Sequence, residues 1–257
     1  MDETFSRGTA GKFGDSLARA GFRGRLEQAA PLAPYTTWRI GGPAELLATP
    51  VNRDDVRIAV RWAVERGVPW RVLGNGSNLL VSDDGVQGLV LRLRRVLDAV
   101  EIGEDRVVAG AGASFPAVAR LAARAGLSGL EFGGGIPGTL GGATVMNAGW
   151  HQYEIGASIE YVDWLDEDGE PQRLAPGSAT FAYRNSFFRG RACVVTAVGL
   201  RLRPGDAAEI EQRMDEFAES RKANQPTELA SCGSVFLKPE SDFAGRLIEE
   251  AGLKGMR

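Results

Sequence analysis

The 257-residue chain is poor in the residues that build covalent or metal scaffolds, with two cysteines and one histidine. Cys193 and Cys232 cannot form a disulfide framework, and they read as reduced thiols of a cytosol. A lone His151 leaves no His-rich zinc site, so no metal is expected. No run is long and apolar enough to span a bilayer. The first ten residues lack the basic-then-apolar order of a secretory signal. Charge of one sign is also missing: 30 Lys and Arg stand against 33 Asp and Glu, a net charge of −3. That balance gives no electrostatic reason to expect nucleic acid or an anionic membrane as partner. The chain reads as a cytoplasmic protein without either.

What is present is a hydrophobic fraction of 44%, enough for a sizeable core, and 34 unevenly spread glycines. Six of the ten residues from Gly133 to Gly142 are glycine. Glycine costs chain entropy, and its usual return is a positive φ or a close backbone approach. Around this cluster the periodicities alternate. They predict a helix over residues 16–30 in an N-terminal extension, a strand at 44–48, and a helix over 54–66 stopped by Gly67. A buried strand at 69–73 then completes a β-α-β crossover. Strands follow near 79–82, 89–93, 99–102 and 106–109, with a helix from the Ser114 cap to Arg124. Asp168-Gly169 signals a hairpin between residues 158–165 and 171–174. A strand over 192–202, a hinge at Pro204-Gly205 and a helix over 207–224 complete an α+β protein.

Four stretches could carry chemistry. Gly74-Asn75-Gly76-Ser77-Asn78 follows a strand and could turn several backbone N–H groups into one concavity, which suits a pyrophosphate; the alternative is a tight polar turn. The run from Gly133 to Ala143 opens onto a helix, whose start offers N–H donors and a positive dipole end. Its small residues Gly141, Gly142 and Ala143 would admit a flat ring or another backbone. In Tyr183-Arg184-Asn185-Ser186-Phe187-Phe188 a guanidinium sits between aromatics and could pair bidentately with a carboxylate; the alternative is a surface arginine. In Ser231-Cys232-Gly233-Ser234-Val235-Phe236, Ser234 has no neighbouring histidine, which disfavours a triad nucleophile and leaves a proton or hydrogen-bond donor. Cys232 reads as a packing residue. Gly110-Ala111-Gly112 lacks the third glycine of a dinucleotide fingerprint, since Phe115 stands there, and reads as a strand-to-helix turn.

Taken in order, Thr37-Trp38-Arg39-Ile40-Gly41-Gly42, the segment from Leu73 to Asn78, Ile136-Pro137-Gly138-Thr139-Leu140-Gly141-Gly142 and the last two stretches resemble the UDP-N-acetylenolpyruvoylglucosamine reductase (MurB) family. Ala244 to Gly255 continues the resemblance. It implies an FAD-binding fold of the vanillyl-alcohol oxidase (PCMH-type) kind over residues 34–203, after an extension at 1–33. A substrate-binding domain would follow at 204–257. It implies FAD, NADPH as reductant and a nucleotide-sugar substrate, in a monomeric cytoplasmic enzyme of peptidoglycan synthesis, with its links to cell shape and division. By similarity Arg39, Gly74, Asn75, Gly76, Ser77, Asn78, Gly134, Ile136, Pro137, Gly138, Thr139, Gly141, Gly142, Asn147 and Ala148 would hold FAD. Tyr183, Arg184 and Ser234 would meet the substrate, Arg184 polarising its carboxylate and Ser234 donating the proton. The family pattern runs on past this chain to a catalytic glutamate, so the second domain is expected to be incomplete, and either partly mobile or leaning on the first. Lys238 and Asn224 also depart from the pattern, standing where asparagine and a basic residue are frequent. Two other readings remain: a catalytically impaired flavin-binding protein, or an FAD oxidase or dehydrogenase with another substrate.

Overall fold

The computed structural model describes residues 7–177, 179–225, 228–239 and 241–256. The first half of the chain folds as α1 (Arg7–Arg19), β1 (Arg25–Pro31), β2 (Pro43–Thr49), α2 (Arg53–Glu65), β3 (Trp70–Leu73) and β4 (Val86–Arg92). It continues through β5 (Val100–Ile102), β6 (Arg106–Gly110), α3 (Phe115–Arg124), β7 (Leu127–Ser128) and α4 (Leu140–Met146). The second half adds β8 (Gly149–Trp150), β9 (Tyr153–Glu154), β10 (Ile159–Leu165), β11 (Pro171–Leu174), β12 (Phe181–Ala182) and β13 (Asn185–Ser186). It ends with β14 (Val194–Arg201), β15 (Arg203–Pro204), α5 (Ala207–Asn224) and α6 (Ala244–Glu250).

Two sheets organise this chain. The first has the order β1-β2-β4-β3, with β2, β4 and β3 parallel and β1 antiparallel at one edge. Its crossover helix α2 is capped by Asn52, whose side chain accepts from the Asp55 amide at 2.9 Å, and it buries Val56, Ala59, Val60 and Ala63 as the three-and-four spacing requires. The strand expected to be buried at 69–73 is instead an edge strand in which only Leu73 is buried. No strand forms at 79–82; that segment is tied at its end, where Gly42 and Gly85 both donate to the Ser82 carbonyl at 2.9 Å, rather than by a ladder.

The helix expected at 16–30 also lies elsewhere. Its real span ends at Arg19, after which Gly21 turns the chain with φ +99° and residues 25–31 form β1. Arg-Leu-Glu-Gln-Ala-Ala favours helix locally, but pairing with β2 from Arg25 to Pro31 outweighs that weak preference. Helix α1 then packs on α2: Leu17 is buried, Phe13 meets Trp62 edge-on at 5.8 Å, and the Trp62 indole donates to Ser16 Oγ at 3.1 Å.

The second sheet is antiparallel throughout, in the order β11-β10-β14-β6-β5. The Asp168-Gly169 hairpin forms as read, with Gly169 at φ +79°. Helices α3 and α4 supply Phe115, Val118 and Leu140 to a core shared with Val198 and Leu200 of β14. Ile210 and Met214 of α5 belong to that same core. The Pro204-Gly205 hinge is pinned: β15 pairs with β7, and Gly205 donates to the Gly126 carbonyl at 2.8 Å. A buried carboxylate adds a latch, Glu131 receiving Arg213 at 3.1 Å. The start of the last segment therefore leans on the preceding unit, whereas no described residue after Met214 is buried.

Candidate active site

Strand β3 delivers the chain to residues 74–78, and the path there is one that side chains would block. Gly76 has φ +63°, and a Cβ on it would lie 2.2 Å from the Tyr35 carbonyl oxygen. Its own carbonyl accepts from the Thr37 amide at 3.2 Å, which fixes the turn. The second glycine segment lies against this loop. Ser77 Oγ donates to the Pro137 carbonyl at 2.7 Å, and a Cβ on Gly74 would sit 2.6 Å from Thr139 Oγ1. Thus Gly74 and Ser77 of the first loop lie against Pro137, Gly138 and Thr139 of the second.

Together these loops present seven backbone N–H groups, five from residues 74–78 and two from Gly138 and Thr139, that donate to no acceptor among the described residues. Unpaired main-chain donors on adjoining loops of glycines and short polar residues suit an anion. The pyrophosphate of FAD has the charge and acceptor density to fill it. The donors at the start of α4 are already taken. Leu140 and Gly141 donate to the Ala113 and Ala111 carbonyls, both at 2.8 Å. Gly142 donates to the Thr139 hydroxyl at 3.2 Å and Ala143 to the Thr139 carbonyl at 2.8 Å. The expectation of free donors at a helix start is corrected here, because α4 is sutured to the end of the β6 strand. Several glycines of the cluster serve that close packing. Gly141 abuts Ala111, Gly133 the Phe115 ring, Gly134 Met214 and Gly135 Arg221, while Ile136 packs partly buried against the core.

The far end of α4 builds a second feature. Asn147 closes the helix in the left-handed region, φ +44°. Its carboxamide donates to Glu154 Oε2 at 2.7 Å and to the Ala182 carbonyl at 2.9 Å, and accepts from the Gly156 amide at 2.9 Å. The amide group is therefore committed within the protein. The Ala148 backbone is committed too, donating to Ala143 and accepting from Ile155. Between β12 and β13, Tyr183 and Arg184 form the two-residue turn of a short hairpin. The Arg184 guanidinium donates to the carbonyls of Asn147 at 3.3 Å and Gly149 at 2.8 Å, and lies 5.0 Å from the centroid of the Tyr183 ring. The aromatics expected on both sides divide their work. Tyr183 faces the cation, while Phe187 and Phe188 pack edge-on against Trp164, each at 5.7 Å.

Ser234 is exposed, but its neighbour Ser231 is tied in, its carbonyl accepting from Thr37 Oγ1 at 2.6 Å. Thr37 is the residue that also holds Gly76, so this loop is anchored beside the first glycine loop. No hydrogen bond or ion pair joins Ser234 or Arg39 to Arg184 among the described residues. Arg39 is exposed at φ +60°, its amide donating to Thr36 at 3.2 Å.

Two charged residues were given no functional role in the sequence reading. Arg221 lies on the packing face of α5 (the Ile210, Met214, Phe217 spacing), against Gly135 and 5.4 Å from the Trp150 ring centroid. Burial pushes its pKa down, and no carboxylate lies within ion-pair distance among the described residues. A cation where the helical period calls for an apolar residue was the available signal. Glu154 gave none, since its partners are set by the fold. Cys193 behaves as a packing residue: burial pushes its thiol up to about 11.

Comparison with known proteins places this geometry among relatives. Residues 44–175 match a model of an FAD binding domain. Residues 225–257 match the C-terminal domain of UDP-N-acetylenolpyruvoylglucosamine reductase. A reductase of that name from Heliobacterium modesticaldum is 44% identical over 235 residues, covering 91% of this chain and 75% of that protein. The crystal structure of the MurB reductase from Thermus caldophilus superposes with a TM-score of 0.78 at 39% identity, over 92% of this chain and 82% of that one. A cholesterol oxidase from Brevibacterium sterolicum shares the fold alone, with a TM-score of 0.56 at 18% identity over 71% of this chain and 38% of that one.

Proposed function

The chain belongs to the UDP-N-acetylenolpyruvoylglucosamine reductase family, and from that premise we propose that it reduces the enolpyruvyl ether of UDP-N-acetylglucosamine to UDP-N-acetylmuramate. FAD is the cofactor, NADPH the reductant, and peptidoglycan precursor synthesis the setting, with cell shape and division downstream. The observation that carries the reading is the pair of glycine loops locked by Ser77 and Pro137, with seven main-chain donors left for an anion. Residues 74–78 with Gly138 and Thr139 hold the pyrophosphate. Arg39, Gly134, Ile136, Pro137, Gly141, Gly142, Asn147 and Ala148 frame the remaining cofactor wall. A bound FAD supplies hydride transfer.

The chain's own residues manage the charge and the proton. As the double bond is reduced, negative charge builds on the carbon bearing the carboxylate and spreads into that group. Arg184 binds the carboxylate with donors not spent on Asn147 and Gly149. Because two carbonyls already aim its guanidinium, little reorganisation is needed when the charge appears, and stabilisation grows as the charge grows. Tyr183 supports the cation through its ring face. The Ser234 hydroxyl delivers the proton to that same carbon. The enzyme is read as monomeric and cytoplasmic, and its net charge of −3 gives no electrostatic reason to expect a nucleic-acid partner. Among the described residues no helix is long and apolar enough to cross a membrane.

Anaerobic flavin absorbance tests the proposal. NADPH is added to the FAD-loaded protein, then the enolpyruvyl sugar. Bleaching followed by recovery on adding the sugar is the expected result. Bleaching without recovery would leave a flavoprotein of another or impaired function.

A further inference from the structure

We infer that Glu154 is a positioning residue that acts through Arg184, an inference resting on the reading of Arg184 as the carboxylate-binding cation. Among the described residues Glu154 is the carboxylate within ion-pair distance of that guanidinium, its Oε1 lying 3.6 Å from the nearer terminal nitrogen. Both side chains are about three-quarters withdrawn from solvent, at 28% and 26% exposure, so their mutual attraction is weakly screened.

The separation is informative. At 3.6 Å the two groups attract, but no hydrogen bond forms, and Oε1 is a buried oxygen without a hydrogen-bond partner among the described residues. A closer carboxylate would occupy the donors that a substrate carboxylate needs. A guanidinium has five N–H donors. The Asn147 and Gly149 carbonyls each take one, and Glu154 takes none, so the fork stays open while its charge is partly balanced.

Glu154 is prevented from closing the gap. Its other oxygen is held by Asn147 Nδ2 at 2.7 Å, and the Asn147 carboxamide is itself fixed by Gly156 and Ala182. Asn147 also supplies the carbonyl that receives Arg184. One residue therefore sets both the carboxylate and the guanidinium. The corner holds non-glycine residues at positive φ, Asn147 at +44°, His151 at +54° and Arg184 at +52°. Strain of this kind persists where surroundings over-determine it, and it clusters at functional sites. The two carbonyls fix direction without compensating charge; Glu154 provides the compensation at a distance that leaves the donors free.

The test separates the half-reactions of the FAD-loaded full chain. Glu154→Gln keeps the volume and an acceptor for Asn147 but removes the charge. It should slow reoxidation by the enolpyruvyl sugar by about tenfold or more, because the unbalanced cation is then held against its two carbonyls less firmly. Flavin reduction by NADPH and FAD affinity should stay within about twofold, because neither passes through Arg184. Glu154→Asp, which keeps the charge, should restore part of the rate, and it serves if the glutamine variant does not fold. In an Arg184→Ala background Glu154→Gln should add nothing. Equal losses in both backgrounds, or a parallel loss of FAD affinity, would mark a structural residue and overturn the inference. A large Arg184→Ala effect with none from Glu154→Gln would overturn it while sparing the reading of Arg184. No effect from Arg184→Ala would overturn both.

Discussion

The loops that gather around residues 74–78 and the corner that holds Arg184 stand at opposite ends of the same short helix, and they solve opposite problems. At the glycine end the described residues offer no acceptors of their own, so that seven N–H groups are left over for something else. At the Asn147 end nearly every polar atom is spent internally, and what remains is one aimed guanidinium. The first surface is made from glycines and short polar residues, the second by cross-bracing side chains. Recognition of a pyrophosphate needs many weak donors on a flat approach. Stabilising a charge that appears only during reaction needs one cation that does not move.

Four substitutions would sharpen or break this contrast. The largest effect belongs to Arg184→Ala, which should cost about 3–4 kcal/mol in the oxidative half-reaction and leave FAD retention intact; stopped-flow traces beside a flavin titration would show both. Gly76→Ala should do the reverse. With φ at +63° and the Tyr35 oxygen in the way, strain of about 1–3 kcal/mol should weaken FAD binding, measured by quenching of flavin fluorescence. Loss of substrate reduction at saturating FAD in that variant would collapse the distinction.

Glu131→Gln tests what carries the glycine segment from beneath. Burial alone would raise this carboxyl, but bonds from Ser128, the Gly129 amide and Arg213 hold it below the ordinary value of 4.5. The stabilisation is therefore present above that value and is lost as pH falls through the lower folded one. The variant should lose about 1–3 kcal/mol at neutral pH, and its melting temperature should converge with that of the parent in acid. A constant gap across that range would mean that the latch is not electrostatic. The smallest effect is expected for Ser77→Ala, which removes the bond to Pro137. About 1 kcal/mol, or roughly fivefold in FAD affinity, should appear by the same fluorescence titration.

How much of this was legible in the sequence depended on the range of the forces involved. Helix α5 was readable to its ends, because Asp206 caps it and Ile210 and Met214 repeat with the period. The Asp168-Gly169 hairpin was readable because a positive φ is a local requirement. Residues 25–31 were misread, since their local preference is helical and only β2 makes them a strand. The glycine cluster announced close approach but not what approached: Gly141 accommodates Ala111 and Gly133 accommodates Phe115. At the Arg184 corner the motif gave the cation, while its supports lie 35 and 37 residues away along the chain. Glu154 had no periodicity or neighbour to mark it. Local rules see caps and turns; they do not see which carbonyl a folded chain will bring to a guanidinium.

The order of strands has a consequence for synthesis. All four strands of the β1-β2-β4-β3 sheet lie between Arg25 and Arg92, so that sheet can close early as the chain emerges. Strand β6 cannot finish pairing so soon. Its partner on one side is β14, with Gly110 opposite Ala197 and Arg106 opposite Arg201, separations of 87 and 95 residues. On a ribosome adding about 5–20 residues per second, β6 waits some seconds with one edge open. An open edge is a template for foreign strands. Insertion of β14 is therefore the pairing that closes this edge, after which α5 can dock and the glycine segment beneath it can set.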